Sequence, residues 1–241
     1  MSQGTSVGQS DERSGVRNGI VTRMLQVGVQ MVVLAAVLFL SSGRLDWGMA
    51  WAYVGVSVLD IAVNTLVLLR RGPGLMAERS QVQEGTPGWD RTLMGLYGLM
   101  GMLALLVCGL DERWGWSQAV PPALQWGALG LYALGDALAS WAMLTNTFFA
   151  ATVRIQHERG HAVVSHGPYR YVRHPGYSGW MVCNLVAPLV LDSLWALIPA
   201  ALTVVFLLVR TLFEDRTLCA ELAGYGAYAR RVRYRLLPGV W

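Results

Sequence analysis

The sequence predicts an all-α, polytopic membrane protein, built as a helical bundle of four spanning helices plus a short C-terminal helical hairpin. Two observations indicate this class. Of the 241 residues, 54% are hydrophobic and only 14% are charged, whereas soluble domains average about 25% charged residues. The apolar residues also form long runs, and the basic residues, all of them Arg, lie mostly between these runs. Lipid must therefore cover much of the surface.

Four apolar runs are long enough to cross a bilayer core, which takes about 20 helical residues. They lie at residues 24–40, 47–69, 92–110 and 121–144. Pro121 opens the fourth run, where proline suits the first helical turn. Two shorter runs, residues 178–191 and 194–209, flank Asp192 and Ser193. They predict a tight helical hairpin whose helices are each marginally long enough to span.

These elements divide the chain into three parts. Residues 1–22 are polar and contain several Gly and Ser residues, which predicts a disordered cytosolic tail without a cleavable signal peptide. Residues 23–145 hold the four spanning helices. Residues 146–241 form a C-terminal region that includes the hairpin at 178–209 and a polar segment before it.

The Arg residues alternate between the two sides of this map. On one side, three Arg precede the first run, four follow the second run, four follow the fourth run, and six follow the hairpin. On the other side, the connections hold only Arg44 and Arg113. Positively charged loops stay in the cytosol. We therefore expect an integral membrane protein, with both termini and the polar segment cytosolic.

Three polar residues interrupt the spanning runs. Asp60 and Asn64 are four residues apart on one helical face, and Asp136 lies in the fourth run. Such residues turn away from lipid. Two roles stay open at this point: they line the inner end of a route from the bilayer, or they lock helices together through buried hydrogen bonds.

The Cys and His residues do not suggest a metal site. The three Cys are widely spaced, and the four His lie within the polar segment without a compact ligand pair on one helix. We therefore expect no metal. The Arg-rich connections follow membrane topology, so we expect no nucleic-acid partner, and the terminal Arg cluster predicts contacts with anionic membrane lipids.

The polar segment itself has a composition that suits ligand binding. It reads QHERGHAVVSHGPYRYVRHPGY from Gln156 to Tyr177. Its Gly-Pro and Pro-Gly pairs are turn signals that expose backbone N–H and C=O groups to a ligand. Its Tyr residues supply flat faces for an aromatic base, and His174 precedes a proline, which favours an extended backbone.

The segment that leaves the hairpin is amphipathic and basic. It reads RTLFEDRTLCAELAGYGAYARRVRYRLLPGVW from Arg210 to Trp241. Arg210 and Glu214 are four residues apart, so a continuing helix places both on one face at the membrane boundary. Taken alone, the pair is also compatible with a simple intrahelical salt bridge.

Together, these two segments resemble the isoprenylcysteine carboxyl methyltransferase family, whose relatives include phospholipid methyltransferases. The resemblance rests on RHPGY at Arg173–Tyr177, on HAVV at His161–Val164, and on the helix with Arg210 and Glu214. The tail resembles the C-terminal signature of bacterial members, which implies a protein of a bacterial inner membrane. The resemblance covers residues 146–241 and implies that this region is the catalytic part of a methyltransferase.

The resemblance implies a cytosolic binding site for S-adenosylmethionine, closed by the C-terminal helix. No Rossmann-type glycine fingerprint is present, which is consistent with a site unlike that of soluble methyltransferases. Arg210 would be the catalytic residue and would bind the carboxylate of the substrate. The implied cofactor contacts are Gln156, His161, Ala162, Val163, Val164, Tyr169, His174, Pro175, Gly176, Tyr177 and Glu214.

The implied reaction is methyl transfer from S-adenosylmethionine to a lipidic or prenylated small molecule, as in O-methylation of an isoprenylcysteine carboxylate. A carboxylate is ionised at neutral pH and needs no general base, unlike a protonated amine. Two alternatives remain at this stage: an N-methyltransferase acting on a phospholipid or small amine, and a non-catalytic transporter or scaffold with the same fold. A lipidic acceptor would reach the site laterally from the bilayer.

Overall fold

The computed structural model describes residues 4–71, 86–150 and 152–241, and every regular element in these ranges is helical. Within these ranges, seven α-helices follow one another: α1 Gly4–Ser42, α2 Gly48–Arg71, α3 Gly88–Trp114, α4 Pro122–Thr145, α5 Pro175–Val190, α6 Leu197–Glu221 and α7 Tyr225–Arg231. Two short 3-10 helices, His157–Arg159 and Gly167–Arg170, lie between α4 and α5. The prediction of an all-α bundle is confirmed.

Five of the helices are long and apolar enough to cross a membrane: Arg17–Ser42 within α1, Gly48–Arg70 within α2, and α3, α4 and α6 as a whole. Their outward faces carry exposed Leu, Val and Trp side chains, as expected where lipid replaces water. The protein is therefore an integral membrane protein.

The predicted hairpin is formed by α5 and α6. Helix α5 has 16 residues, which corresponds to a length of about 24 Å. Helix α6 continues past the predicted end at Val209 to Glu221. The apolar run ends at Val209, but the residues that follow are mostly good helix formers and do not include Gly or Pro until Gly224. The apolar run therefore ends at Val209, whereas the helix continues for about three more turns, to Glu221.

The N-terminal part also differs from the prediction. A disordered tail is expected over residues 1–22, yet α1 begins at Gly4. Once a helix is nucleated by a stable apolar span, each added residue costs little because it brings its own backbone hydrogen bond. Of the polar connection predicted between the second and third spans, residues 72–85 lie outside the described residues.

Three helix connections meet at one end of the bundle. Arg44, in the α1–α2 turn, contacts Glu112 near the end of α3 at 2.8 Å. Asp111 accepts hydrogen bonds from the hydroxyls of Ser117 and of Ser193, which lies in the hairpin turn. Asp192 adopts a left-handed backbone conformation in that turn, which Asp tolerates better than most residues. The predicted hairpin turn at Asp192 and Ser193 is confirmed.

Helices α4 and α5 approach each other through glycine. A Cβ atom on Gly135 would lie 2.8 Å from the carbonyl oxygen of Gly179, and a Cβ on Gly179 would lie 2.8 Å from the backbone nitrogen of Ala139. Only glycine allows the two backbones to come this close, as in other membrane helix pairs with small residues at the contact. This contact fixes the start of α5 beside the end of α4.

The polar residues of the second span link α2 to α4. Asn64 is 5% exposed, and its amide nitrogen donates to Asp60 Oδ2 at 2.9 Å and to Ser140 Oγ at 2.6 Å. Ser140 donates in turn to Asp60 Oδ1 at 2.6 Å. The two residues therefore share an inward face, as predicted, and their hydrogen bonds lock two helices together. Asp136 does not take part in this network.

The glycine contact yields a direct test. Gly179→Ala should lower the free energy of unfolding by about 1–3 kcal/mol, because the added methyl group must push two backbones apart. Gly127→Ala is the matched control in α4, since a Cβ there meets nothing within 4 Å. Thermal unfolding in detergent measures both. Equal unfolding midpoints for the two variants would contradict the close approach of α4 and α5.

Candidate active site

A cavity opens at one end of the bundle, opposite the connections between α1 and α2, α3 and α4, and α5 and α6. Its walls come from the end of α4, the polar segment, the start of α5, the end of α6 and helix α7. Its empty space, including the part that is open to solvent, is about 760 Å³. The two segments singled out by sequence therefore converge on one cavity.

The RHPGY motif forms the beginning of α5. His174 precedes the helix with backbone angles φ −126° and ψ 59°, so its backbone is not helical and is also not in the extended region that Pro175 led us to expect. Pro175 occupies the first helical position, where a proline has no N–H to leave unpaired. The backbone N–H groups of Arg173 and His174 donate to the carbonyl oxygens of Tyr234 and Arg235, at 3.0 and 2.8 Å. The C-terminal tail thus pairs with the motif and holds it against the cavity.

A buried carboxylate, Asp215, gathers the charged groups around this motif. It contacts Arg173 at 3.3 Å and Arg235 at 2.9 Å, and it accepts a hydrogen bond from Tyr225 at 3.0 Å. His174 Nε2 lies 3.4 Å from its Oδ1 atom. Asp215 therefore joins α6, α7, the tail and the start of α5. Sequence reasoning missed it because only folding brings these four partners together.

Glu214 and Arg210 share one face of α6, as predicted, but they have different surroundings. Glu214 lines the cavity, and its Oε2 atom accepts a hydrogen bond from Tyr177 at 2.6 Å. Arg210 is 2% exposed and lies outside the cavity lining, with its Nε atom 2.7 Å from Asp90 Oδ1. Its guanidinium lies over the ring of Tyr177 at 5.2 Å.

Asp90 is therefore a second charged residue that the sequence did not indicate. It is fully buried in the first turn of α3, and it also accepts a hydrogen bond from the backbone N–H of Val153 at 2.8 Å. A buried arginine needs such a partner, because an unpaired charge in this environment is costly. The Asp90–Arg210 pair fixes α3, α6 and the polar segment relative to one another.

The HAVV segment supplies the opposite wall. The His161 ring stacks on Phe148, with centroids 4.5 Å apart, and its Nδ1 atom accepts the backbone N–H of Gln156 at 3.3 Å. Burial and, to a smaller extent, neighbouring Arg159 lower the pKa of His161 below its ordinary value of 6.5. The imidazole is therefore neutral at pH 7.

The predicted cofactor contacts divide into two groups. Nine of them line the cavity: His161, Ala162, Val163, Val164, Tyr169, His174, Gly176, Tyr177 and Glu214. Pro175 and Gln156 do not. The Gln156 side chain is buried, donates to the carbonyl oxygen of Phe148 at 2.7 Å and accepts from Arg159 at 2.5 Å. It supports the loop rather than lining the cavity. His157 and His166 are exposed.

The structure adds lining residues that sequence reasoning had not named. They include Asn146, Phe148, Phe149, Arg154, Leu218, Leu222, Tyr225 and Tyr228. The GYGAY stretch, which places Tyr225 and Tyr228 three residues apart on one helical face, was the signal that could have indicated two of them. Tyr228 donates to the carbonyl oxygen of Tyr169 at 2.7 Å, which closes the cavity over the motif.

The lining suits a molecule with an aromatic base and polar groups. Phe148, Tyr169 and Tyr228 give the cavity flat apolar faces, while one Glu214 oxygen, Oε1, accepts no hydrogen bond from any residue that the structure describes. An ionised carboxylate with an unused oxygen is an acceptor for an ammonium or hydroxyl group. These residues therefore fit a charged nucleoside derivative.

Fold and site together define a polytopic helical membrane protein with a ligand cavity at one end of the bundle. Residues 128–220 match the model of the isoprenylcysteine carboxyl methyltransferase family. This range holds α5, most of α4 and α6, the HAVV and RHPGY motifs, and Arg210 and Glu214. Over this region, which is less than half of the chain, the protein is similar to that family.

Two similar proteins, from the indica and japonica subspecies of Oryza sativa, are named probable protein-S-isoprenylcysteine O-methyltransferases. Each is 32% identical over 80 residues, which cover 33% of this chain and 38% of the relative. The match thus spans well under half of those relatives.

A solved structure of the eukaryotic intramembrane Ras methyltransferase, an isoprenylcysteine carboxyl methyltransferase, has a similar fold. The TM-score is 0.54 at 19% identity, over 87% of this chain and 72% of that one.

The role of Asp215 can be tested by neutralising it. Arg173 is 8% exposed, so Asp215→Asn leaves a buried cation without its carboxylate and should lower the free energy of unfolding by about 3–5 kcal/mol. Glu221→Gln is the control, because Glu221 is exposed on the same helix. Thermal unfolding of both variants gives the comparison. A loss no larger than that of the control would contradict a central role for Asp215.

His161 predicts a pH effect. Its pKa is lower in the folded protein than in the unfolded chain, so the unfolded chain binds more protons as the pH falls below about 6.5. The His161 contribution to stability should therefore be fully present above that pH and decline below it. As the pH is lowered from about 7.5 to about 5, the unfolding midpoint should decrease more steeply for the wild type than for His161→Asn. Parallel curves would contradict the lowered pKa.

Proposed function

We propose that this chain is an S-adenosylmethionine-dependent methyltransferase that acts on a lipophilic acceptor, most directly an isoprenylcysteine-type carboxylate. The observation that carries the proposal is the convergence of three separate segments, His161–Val164, His174–Tyr177 and Glu214, on one cavity. These are the segments on which the family resemblance rests. The family match over residues 128–220 supports the same reaction class.

Named residues have distinct roles in this proposal. The aromatic faces of Phe148, Tyr169 and Tyr228 would hold the adenine ring by stacking, and Glu214 would bind the ammonium group or the ribose hydroxyls of the cofactor. Asp215 would act indirectly, by holding His174 at the wall. S-adenosylmethionine supplies a sulfonium methyl group that is already activated for transfer.

The acceptor is assigned from proton chemistry. A carboxylate is a ready nucleophile at pH 7, whereas an ammonium group must first lose a proton to a base. His161 is a poor base here because its Nδ1 atom already accepts a backbone N–H, which leaves the proton on Nε2. Positioning and exclusion of water then account for most of the rate. The lack of a suitable base therefore favours carboxyl methylation over amine methylation.

Arg210 remains the proposed acceptor-side residue, with Asp90 as a partner that orients it. The planar guanidinium group of Arg210 can bind two carboxylates at different edges, whereas the ammonium group of a lysine does so poorly. The Asp90 contact occupies the Nε side of this fork. In the proposal, an acceptor carboxylate approaches from the side of Tyr177 and shares the guanidinium with Asp90.

We further propose that the cavity faces the cytosol of a bacterial inner membrane. Arg154, Arg159, Arg170 and Arg173 lie at the cavity end of the bundle, whereas Arg44 and Arg113 lie at the end where the three connections meet. The positive-inside rule assigns the Arg-rich end to the cytosol. Residues 23–145 would then be mainly scaffold, and residues 146–241 the catalytic region.

Two measurements test the function. The purified chain should bind S-adenosylmethionine in equilibrium dialysis, and it should transfer a labelled methyl group to an S-prenylated N-acetylcysteine in lipid nanodiscs. The product label should be released by mild base, as expected of a methyl ester. Absence of cofactor binding would refute the enzyme assignment. A base-stable product would instead point to amine methylation.

Arg210→Lys tests the division of roles. It should reduce methyl transfer at least about 100-fold, because the acceptor loses its bidentate partner, whereas cofactor affinity should change less than about threefold. Arg216→Lys is the matched control, since Arg216 is exposed on the same helix. Cofactor affinity that falls in parallel with transfer would contradict an acceptor-side role for Arg210.

A further inference from the structure

The tail that follows α7 folds back on itself and packs against the spanning helices. The backbone N–H groups of Arg235 and Leu236 both donate to the carbonyl oxygen of Trp241, at 2.9 Å. The Leu236 side chain belongs to one buried cluster with Leu207, which lies near the end of the apolar run of α6. The hook formed by residues 234–241 is therefore placed at the membrane boundary, beside the cavity of the candidate site.

The outward side of the hook is apolar. Leu237 is 54% exposed and Val240 is 77% exposed. At a membrane boundary, apolar side chains of this kind enter the layer between the headgroups and the acyl chains. The hook therefore offers a surface that lipid covers.

Three exposed arginines precede the hook and form the arginine surface: Arg230, Arg231 and Arg233. None of them pairs with a carboxylate of any residue in the described part of the chain. Arg233 is four residues from Leu237, so their Cα atoms are at most about 14 Å apart. Cationic and apolar side chains thus lie close together at the membrane boundary.

Arg235, in contrast, has its anionic partner inside the protein. It contacts Asp215 at 2.9 Å, and its guanidinium lies over the ring of Trp241 at 5.2 Å. The arginine surface has no such partner and suits an external anion, and phosphate is an anion that arginine binds well. A bilayer phospholipid supplies both a phosphate group and an acyl chain, whereas a soluble anion leaves the apolar side of the hook uncovered.

The hook and α7 also hold the walls of the site cavity. The Ser178 hydroxyl, in the first turn of α5, donates to the carbonyl oxygen of Leu236 at 2.7 Å. Two backbone hydrogen bonds join the hook to the RHPGY motif. On α7, Tyr225 and Tyr228 line the cavity, immediately before the arginine surface. A ligand that fixes the hook in this position therefore also fixes the cavity walls.

We propose that the arginine surface binds the headgroups of anionic phospholipids, and that this binding tightens the cofactor site by holding the hook against α5. Headgroup phosphates bind the arginines, while the acyl chains cover Leu237 and Val240. A detached hook does not present both sets of side chains at this depth. Lipid therefore binds the docked hook more tightly and shifts the population toward it. The effect on cofactor affinity rests on the proposed function, whereas lipid binding itself does not.

Hydrogen exchange in nanodiscs tests lipid binding without the cofactor. The purified full chain is compared in phosphatidylcholine nanodiscs and in nanodiscs that also contain phosphatidylglycerol. Backbone amides of residues 225–241 should exchange at least about tenfold more slowly with phosphatidylglycerol, because lipid binding disfavours opening of the hook. Inorganic phosphate added to phosphatidylcholine nanodiscs should leave exchange unchanged, because it brings no acyl chain.

Two variants with the same loss of charge separate the arginine surface from general surface charge. The test variant combines three substitutions: Arg230→Gln, Arg231→Gln and Arg233→Gln. The control variant changes three exposed arginines outside this surface: Arg91→Gln, Arg170→Gln and Arg216→Gln. The test variant should exchange equally fast in both lipids, whereas the control variant should keep the protection seen in the wild type.

Equilibrium dialysis in the same nanodiscs measures the link to the site. S-adenosylmethionine should bind at least about threefold more tightly with phosphatidylglycerol for the wild type and the control variant. For the test variant, its affinity should be equal in the two lipids.

Equal exchange in the two lipids would overturn the proposal, as would protection that survives in the test variant or that inorganic phosphate reproduces. Equal cofactor affinity in the two lipids would overturn the link to the site. The wild-type comparison is decisive even if a variant fails to fold. Failure of the proposed function is distinguishable, because cofactor binding would then be absent in every nanodisc while the lipid-dependent protection persists.

Discussion

The buried carboxylate of Asp215 is the interaction on which the candidate site depends. Two arginines, a tyrosine hydroxyl and the His174 imidazole converge on it, and they come from three parts of the chain outside α6. A buried ion cluster of this kind contributes little net stability compared with apolar packing, but its geometry is highly specific. It determines how the C-terminal tail docks and therefore where the RHPGY motif presents its side chains.

The transmembrane bundle makes this docking possible. The glycine contact between Gly135 and Gly179 holds α5 directly against α4, so the start of α5 lies beside the loop that leaves α4. The Asp90–Arg210 pair then ties α3 to α6. With both charges buried, this pair restricts sliding of the two helices, because any shift would expose an unpaired charge to an apolar environment. The spanning helices are thus more than a membrane anchor, since they set the shape of the cavity.

The cavity of the candidate site differs in its lining from a second cavity among the spanning helices. The site cavity opens at the Arg-rich end of the bundle and offers aromatic faces with one available carboxylate oxygen. The second cavity is lined by residues of α1 to α5 and includes the acidic side chains of Asp60 and Asp136. The wall of Phe149, Tyr177 and Trp180 between them is where a water-soluble donor and a membrane-embedded acceptor could meet without mixing their environments.

The sequence by itself determined the helical membrane class, the hairpin turn at Asp192 and Ser193, and nine residues of the cavity lining, because these follow from local features: apolar run length, turn residues and linear motifs. It also placed Arg210 and Glu214 on one helical face, since helical periodicity is local. Only the tertiary structure decided that Asp215 gathers the site and that Arg210 is paired with Asp90, a residue 120 positions away. It also showed that Gln156 supports a loop and that α1 extends back to Gly4. Those features depend on which distant side chains meet, and a residue's neighbours in space are not encoded by its neighbours in sequence.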